Sequence, residues 1–202
     1  MADHQEILSR YFPPQSIDII YNWIVEHHIH FRITKSRESK LGDYQPLPKI
    51  NAHKITINFD LNKWAFLIIF VHELAHLIVY EAHGNKVKAH GYEWKNAYRN
   101  LMKNFTGERN IFPPDIAGAV EKYLVNAYAS SSTDVELTKV LRNYNKDNNE
   151  IFIDDIPMKS LFKTEKGELF SKEQKLRKRF LCICIRNKRE YLLSPMTRVF
   201  PQ

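Results

Sequence analysis

The sequence predicts an α+β chain: a helical region carrying a small three-stranded sheet, followed by a small β-rich segment. Three observations lead there. An apolar stretch from about residue 61 to residue 80 shows no strand-like alternation and is long enough for several helical turns. Upstream of it, residues 31–34 and 53–59 alternate with period two, and residues 36–44 continue the first run into a second strand. Beyond residue 149 the pattern changes to short alternating runs separated by turn residues.

Taken in order, residues 5–12 form a short amphipathic helix ended by Pro13 and Pro14. Ser16 caps a second helix with Ile17, Ile20, Trp23, Ile24 and Val25 on its apolar side. Residues 46–48 are a loop, and Ile55, Ile57 and Phe59 share one face of the next strand. The long apolar helix starts near Leu61 with Asp60 as its N-cap and stops at Gly84. An extended segment, residues 85–89, leads to a helix over residues 92–104. Pro113 and Pro114 open a further helix to about Tyr128, residues 130–133 are a linker, and a last helix starting at Thr133 or Asp134 reaches about Tyr144. The polar run 143–149 divides the chain into residues 1–145 and 150–202. In the second part, residues 151–153, 160–164, 169–171, 179–185 and 190–193 read as strands, with tight turns at Gly167 and Lys188.

The long helix contains His72-Glu73-Leu74-Ala75-His76. Residues four apart share a helix face, so both imidazoles reach one Zn²⁺, while Glu73 points slightly off that face and is free to act as a general base. A helix this apolar is buried, and unpartnered polar groups inside it are costly unless a metal and its water satisfy them. A catalytic zinc takes three protein ligands and leaves one position open. His83 lies seven residues past His76, about 10 Å along the axis, and reaches the same metal only if the chain turns back early. The metzincin spacing fails, because Val79 and Ala82 stand where it needs glycine and histidine. His90 fits better: Gly91 follows it where the chain turns into the next helix.

These residues resemble a family. The motif at 72–76 with His90-Gly91 and Trp94 downstream, and with residues 40–44 and 54–58 upstream, is similar to the SprT-like metallopeptidases, to which the Spartan proteases belong. The likeness spans roughly residues 15–130. It implies a zincin-like domain with His72, His76 and His90 as ligands of one Zn²⁺, Glu73 as general base, and peptide-bond hydrolysis as the activity. Spartan-type members degrade proteins crosslinked to DNA, so the resemblance also implies substrates near DNA. The chain departs from the family in one respect. Many members carry a C-terminal zinc ribbon, but Cys182 and Cys184 are the only cysteines here and no histidine follows His90. Four ligands cannot be assembled from these. Cys182, Cys184 and Phe180 share a sheet face and read as buried small apolar residues.

Charge adds a partner. The net charge is +7, and residues 150–202 carry 12 Lys+Arg against 7 Asp+Glu. Lys172, Lys175, Arg177, Lys178, Arg179, Arg186, Lys188 and Arg189 form the footprint expected of a nucleic-acid contact. Two cysteines argue against a disulfide framework, the N-terminus lacks a secretory pattern, and residues 64–71 are too short a run to span a bilayer. The expectation is a cytoplasmic enzyme acting on a protein or peptide, with DNA as a further partner and no membrane. The rival function is a nucleic-acid-binding protein whose zincin site is structural or inactive. Tyr44, Tyr80 and Tyr92 are open candidates for stabilising an oxyanion, and Glu93 for orienting a ligand histidine.

Overall fold

The computed structural model describes residues 2–37, 39–109, 111–125, 134–145 and 150–202, and it is α+β. It divides into two compact units, Met1–Asn145 and Lys146–Gln202.

In the first unit, α1 (Ala2–Tyr11) and α2 (Ile17–Glu26) precede a sheet of β1 (Ile29–Thr34), β2 (Gly42–Leu47) and β3 (Ala52–Asn58). Ser16 does not cap α2 as expected. Its hydroxyl turns back and donates to Pro13 O at 2.7 Å, closing the short turn made by the two prolines. Val25 faces outward, and the buried contact of α2 is Ile20. The sheet order is β1-β3-β2: β3 pairs parallel with β1 and antiparallel with β2. Pro46 lies inside β2 rather than in a loop, and Pro48 opens a short turn instead. A proline is tolerated there because β2 is an edge strand. Ile55 and Ile57 are buried, whereas Phe59 lies past the strand end and is 54% exposed.

The long helix is α3 (Lys63–His83). Its N-cap is Asn62, not Asp60: the Asn62 side chain accepts from Trp64 N and Ala65 N. Gly84 ends it as expected, at φ 59°, a conformation that favours glycine. Residues 66–75 of α3 are all buried. By length and composition α3 is able to cross a membrane, but 67% of its most apolar window is buried inside the protein. Phe12 and Phe31 each pack edge-on against Phe66 and Phe70 of α3, with ring centroids 5.0 to 6.2 Å apart.

Residues 84–90 form turns and bends rather than the expected extended segment, and lead into α4 (Tyr92–Met102). Then come α5 (Pro114–Val125) and α6 (Val135–Arg142), the latter capped by Asp134, which accepts from Leu137 N. The expected end of the α5 helix near Tyr128, the linker at residues 130–133 and residues 146–149 of the boundary run 143–149 lie outside the described residues.

The second unit is an antiparallel sheet in the order β7-β6-β5-β4-β8. Its strands are β4 (Leu161–Thr164), β5 (Leu169–Lys175), β6 (Phe180–Cys184), β7 (Glu190–Leu193) and β8 (Val199–Pro201). The expected strand at residues 151–153 is reduced to one bridge, Phe152 to Arg198, followed by a helical turn, and β8 was not anticipated. One sheet face buries Phe162, Phe170, Phe180, Cys182, Cys184 and Val199. Both cysteines are free and buried, as the alternation in β6 predicts.

Candidate metal centre

The motif histidines sit mid-helix on α3, one turn apart, with ring centroids 5.1 Å apart. His90 joins them from the turn before α4. Its φ is 58°, a left-handed conformation unusual for a histidine, and it brings Nε2 to 3.1 Å from His72 Nε2. Gly91 enables that turn through size rather than through φ: a Cβ there would lie 2.9 Å from Lys88 O. One donor atom from each of His72, His76 and His90 falls within 4.8 Å of the others. His83 is exposed at the helix end and stands apart from this group.

Trp94 forms the floor. Fully buried, it lies 4.6, 5.5 and 4.7 Å from the rings of His72, His76 and His90 and donates through Nε1 to His72 O. Tyr98 stacks beneath it at 5.1 Å. Burial and mutual repulsion hold the imidazoles neutral: His72 is pushed down to about 3 by burial, His76 and His90, and His76 to about 4 by burial and His90. Burial also lowers His90. Neutral imidazole is the form that binds a metal. Among the described residues His72 Nδ1 is buried without a hydrogen-bond partner, so the candidate Glu93 does not orient that nitrogen. Three neutral imidazoles converging in a partly buried cluster fit a metal ion.

Glu73 is 7% exposed and lies beneath the β2 edge strand. A Cβ on Gly42 would approach its Oε1 to 2.6 Å, so only glycine leaves room for the carboxylate. The nearby Tyr44 backbone N–H favours its ionised form. Burial and nearby Asp43 nevertheless raise its pKa to about 8, against the opposing pull of Arg37, Lys40 and the Tyr44 N–H. A carboxyl poised near neutrality suits proton transfer.

The approach to Gly42 is braced by Asn58. This fully buried side chain donates to Arg37 O and Lys40 O, and accepts from Arg37 Nε at 2.8 Å. Among the tyrosines, Tyr44 lies beside the centre, its ring parallel to His76 at 6.5 Å, while Tyr92 is 75% exposed.

A model of the SprT-like family matches residues 15–115, half of the 202-residue chain. The chain belongs to the SprT-like family. Membership points to a zincin-like metallopeptidase fold, and the three-histidine group of this SprT-like domain fits a metal ion. No curated protein and no solved structure matches the chain.

The SprT-like match ends before the basic residues singled out in the second unit, and the structure sorts these into distinct sets. Lys172 leaves the surface. It is 3% exposed, donates to Ile153 O and Ile156 O at 2.7 and 2.6 Å, and covers the Phe180 ring at 4.1 Å. Its strand position, opposite Cys182, points it into the core. Lys175 lies 3.6 Å from Asp154, Arg186 is paired to Glu168 at 2.8 Å, and Arg179 donates to Leu192 O. Arg177 and Lys178 are exposed in the turn before β6, and Lys188 and Arg189 in the turn after it. The two exposed groups therefore sit at opposite ends of β6, roughly 20 Å apart at the usual strand rise.

Sequence reasoning missed the roles of Gly42, Asn58 and Trp94 in the centre. A glycine opening a strand signals close approach, but not to which residue. Nothing in the sequence marks Asn58.

Proposed function

We propose that this chain is a zinc-dependent endopeptidase. The observation that carries the reading is the convergence of His72, His76 and His90, with buried Glu73 next in sequence to the first of them. Among the described residues no fourth donor joins the three, which supports an open coordination position. His72, His76 and His90 would hold the ion. Bound there, zinc supplies Lewis-acid polarisation and lowers the pKa of a water toward about 7.

The protein's own groups do the rest. Glu73, in its ionised form, takes the proton of the attacking water and hands it to the leaving amine. Trp94 keeps water from beneath the imidazoles and fixes their orientation. The exposed cations at both ends of β6 support a second contact, to DNA, and so a substrate that is a protein bound or crosslinked to DNA. A cytoplasmic location accords with two free cysteines.

The test uses Glu73→Gln and His90→Ala. Glu73→Gln should retain zinc and lose cleavage of a denatured protein by at least 100-fold, the scale of general-base catalysis. His90→Ala should lose zinc by elemental analysis. Cleavage by Glu73→Gln at the wild-type rate would overturn the mechanism, and undiminished zinc in His90→Ala would remove that ligand.

A further inference from the structure

A row of four side chains ties β2 to the far end of α3, outside the metal centre. Tyr44 Oη lies 3.0 Å from His53 Nδ1. On the other side of that ring, His53 Nε2 lies 3.5 Å from Glu81 Oε1. His27 Nδ1 approaches Glu81 Oε2 at 3.1 Å. The four residues come from β2, β3, α3 and the end of α2. Direction follows from donor chemistry. A phenol donating to Nδ1 leaves the His53 proton on Nε2, where it faces the Glu81 carboxylate. His27 supplies a second N–H to that carboxylate.

Tyr44 belongs to both this row and the centre. Its backbone N–H favours the ionised form of Glu73, and its ring lies within 8° of parallel to His76 at 6.5 Å. One residue thus lies beside both the proton-transfer group and a donor imidazole while its hydroxyl is held elsewhere. The need for such a hold is evident from topology. β2 is the edge of the sheet, paired only to β3, so the strand has no neighbour on its other side among the described residues. Placement of Glu73 depends on Gly42 and Tyr44 of that edge, and a misplacement of about 1 Å at a reacting group costs about 100-fold in rate.

We propose that Tyr44 is a positioning residue of the site and that His53, Glu81 and His27 form the brace that holds it over Glu73 and His76. The proposal rests on the peptidase reading for its kinetic consequence but not for its structural one.

The experiment compares the full chain with Tyr44→Phe, Glu81→Gln and the double variant. Two readouts are taken: kcat and KM on labelled casein, and hydrogen exchange of the Tyr44 amide. Each single substitution should lower kcat about tenfold, the equivalent of one lost hydrogen bond, with KM within about twofold and zinc content unchanged. The double variant should be no worse than the poorer single, because both act through one hydroxyl. Tyr44 amide exchange should quicken about tenfold in all three. Multiplicative losses in kcat, or unchanged amide exchange, would overturn the brace. Coupled amide exchange without casein cleavage by the wild-type chain would uphold the brace and sink the peptidase reading instead.

Discussion

Gly42 and Glu73 occupy one space: a methyl group on Gly42 would lie 2.6 Å from Glu73 Oε1 and 2.6 Å from Ile69 Cγ2. The carboxylate fits under the edge strand because the strand has no side chain there. Gly42→Ala is therefore expected to displace Glu73 while leaving the three imidazoles in place. Overpacking of this kind costs about 1–3 kcal/mol of stability, and displacement of a reacting group costs about 100-fold in rate. Cleavage assays with zinc analysis check this. A variant with wild-type cleavage would show that the contact yields without consequence.

The metal-free chain should be most stable near pH 6.5. His72 and His76 titrate at about 3 and about 4 when folded, and His90 is also lowered. Unfolded imidazoles take up protons near pH 6.5, so stability is lost as pH falls from there toward 4. Glu73 behaves oppositely. Its folded value of about 8 lies above 4.5, so its contribution is lost as pH rises toward 8. Between pH 6.5 and 8 the loss is on the order of 2 kcal/mol. Urea unfolding of the apo chain across pH 4–9 tests the dome, and Glu73→Gln should abolish the alkaline decline and steepen the rise between pH 4.5 and 6.5.

DNA affinity should depend on the turn cations and not on Lys172. Arg177→Ala with Lys178→Ala, or Lys188→Ala with Arg189→Ala, should each lower the salt slope of duplex binding by about 2. Lys172→Met should leave the slope unchanged and alter stability instead, since its ammonium is bonded to two core carbonyls. Unchanged slopes in both double variants would mean that the cations are simply solvated.

The centre was legible because its chemistry is local. His72, Glu73 and His76 lie within one helical turn, and a helix fixes their relation without reference to the rest of the fold. His90 was legible from the glycine after it, although the left-handed residue proved to be the histidine itself. What could not be read were relations between elements distant in sequence. Gly42 meets Glu73, Asn58 holds Arg37, and His27 meets Glu81 only because β3 enters between β1 and β2. The basic segment shows the same limit. Lys172 counts as a cation in the sequence, but strand alternation combined with a bulge after it turns it inward.

The strand order has a consequence for how the chain acquires its fold. β1 and β2 are not hydrogen-bonded to each other, and both wait for β3, the last of the three to leave the ribosome. Until residues 52–58 arrive, neither earlier strand has a partner in the sheet. α3 begins only a few residues later and packs on that same sheet. Sheet closure and burial of the histidine helix are thus compressed into one interval of synthesis. Glu73 is made after all three strands, so its cover is ready when the motif emerges, and only His90 and Trp94 are still to come.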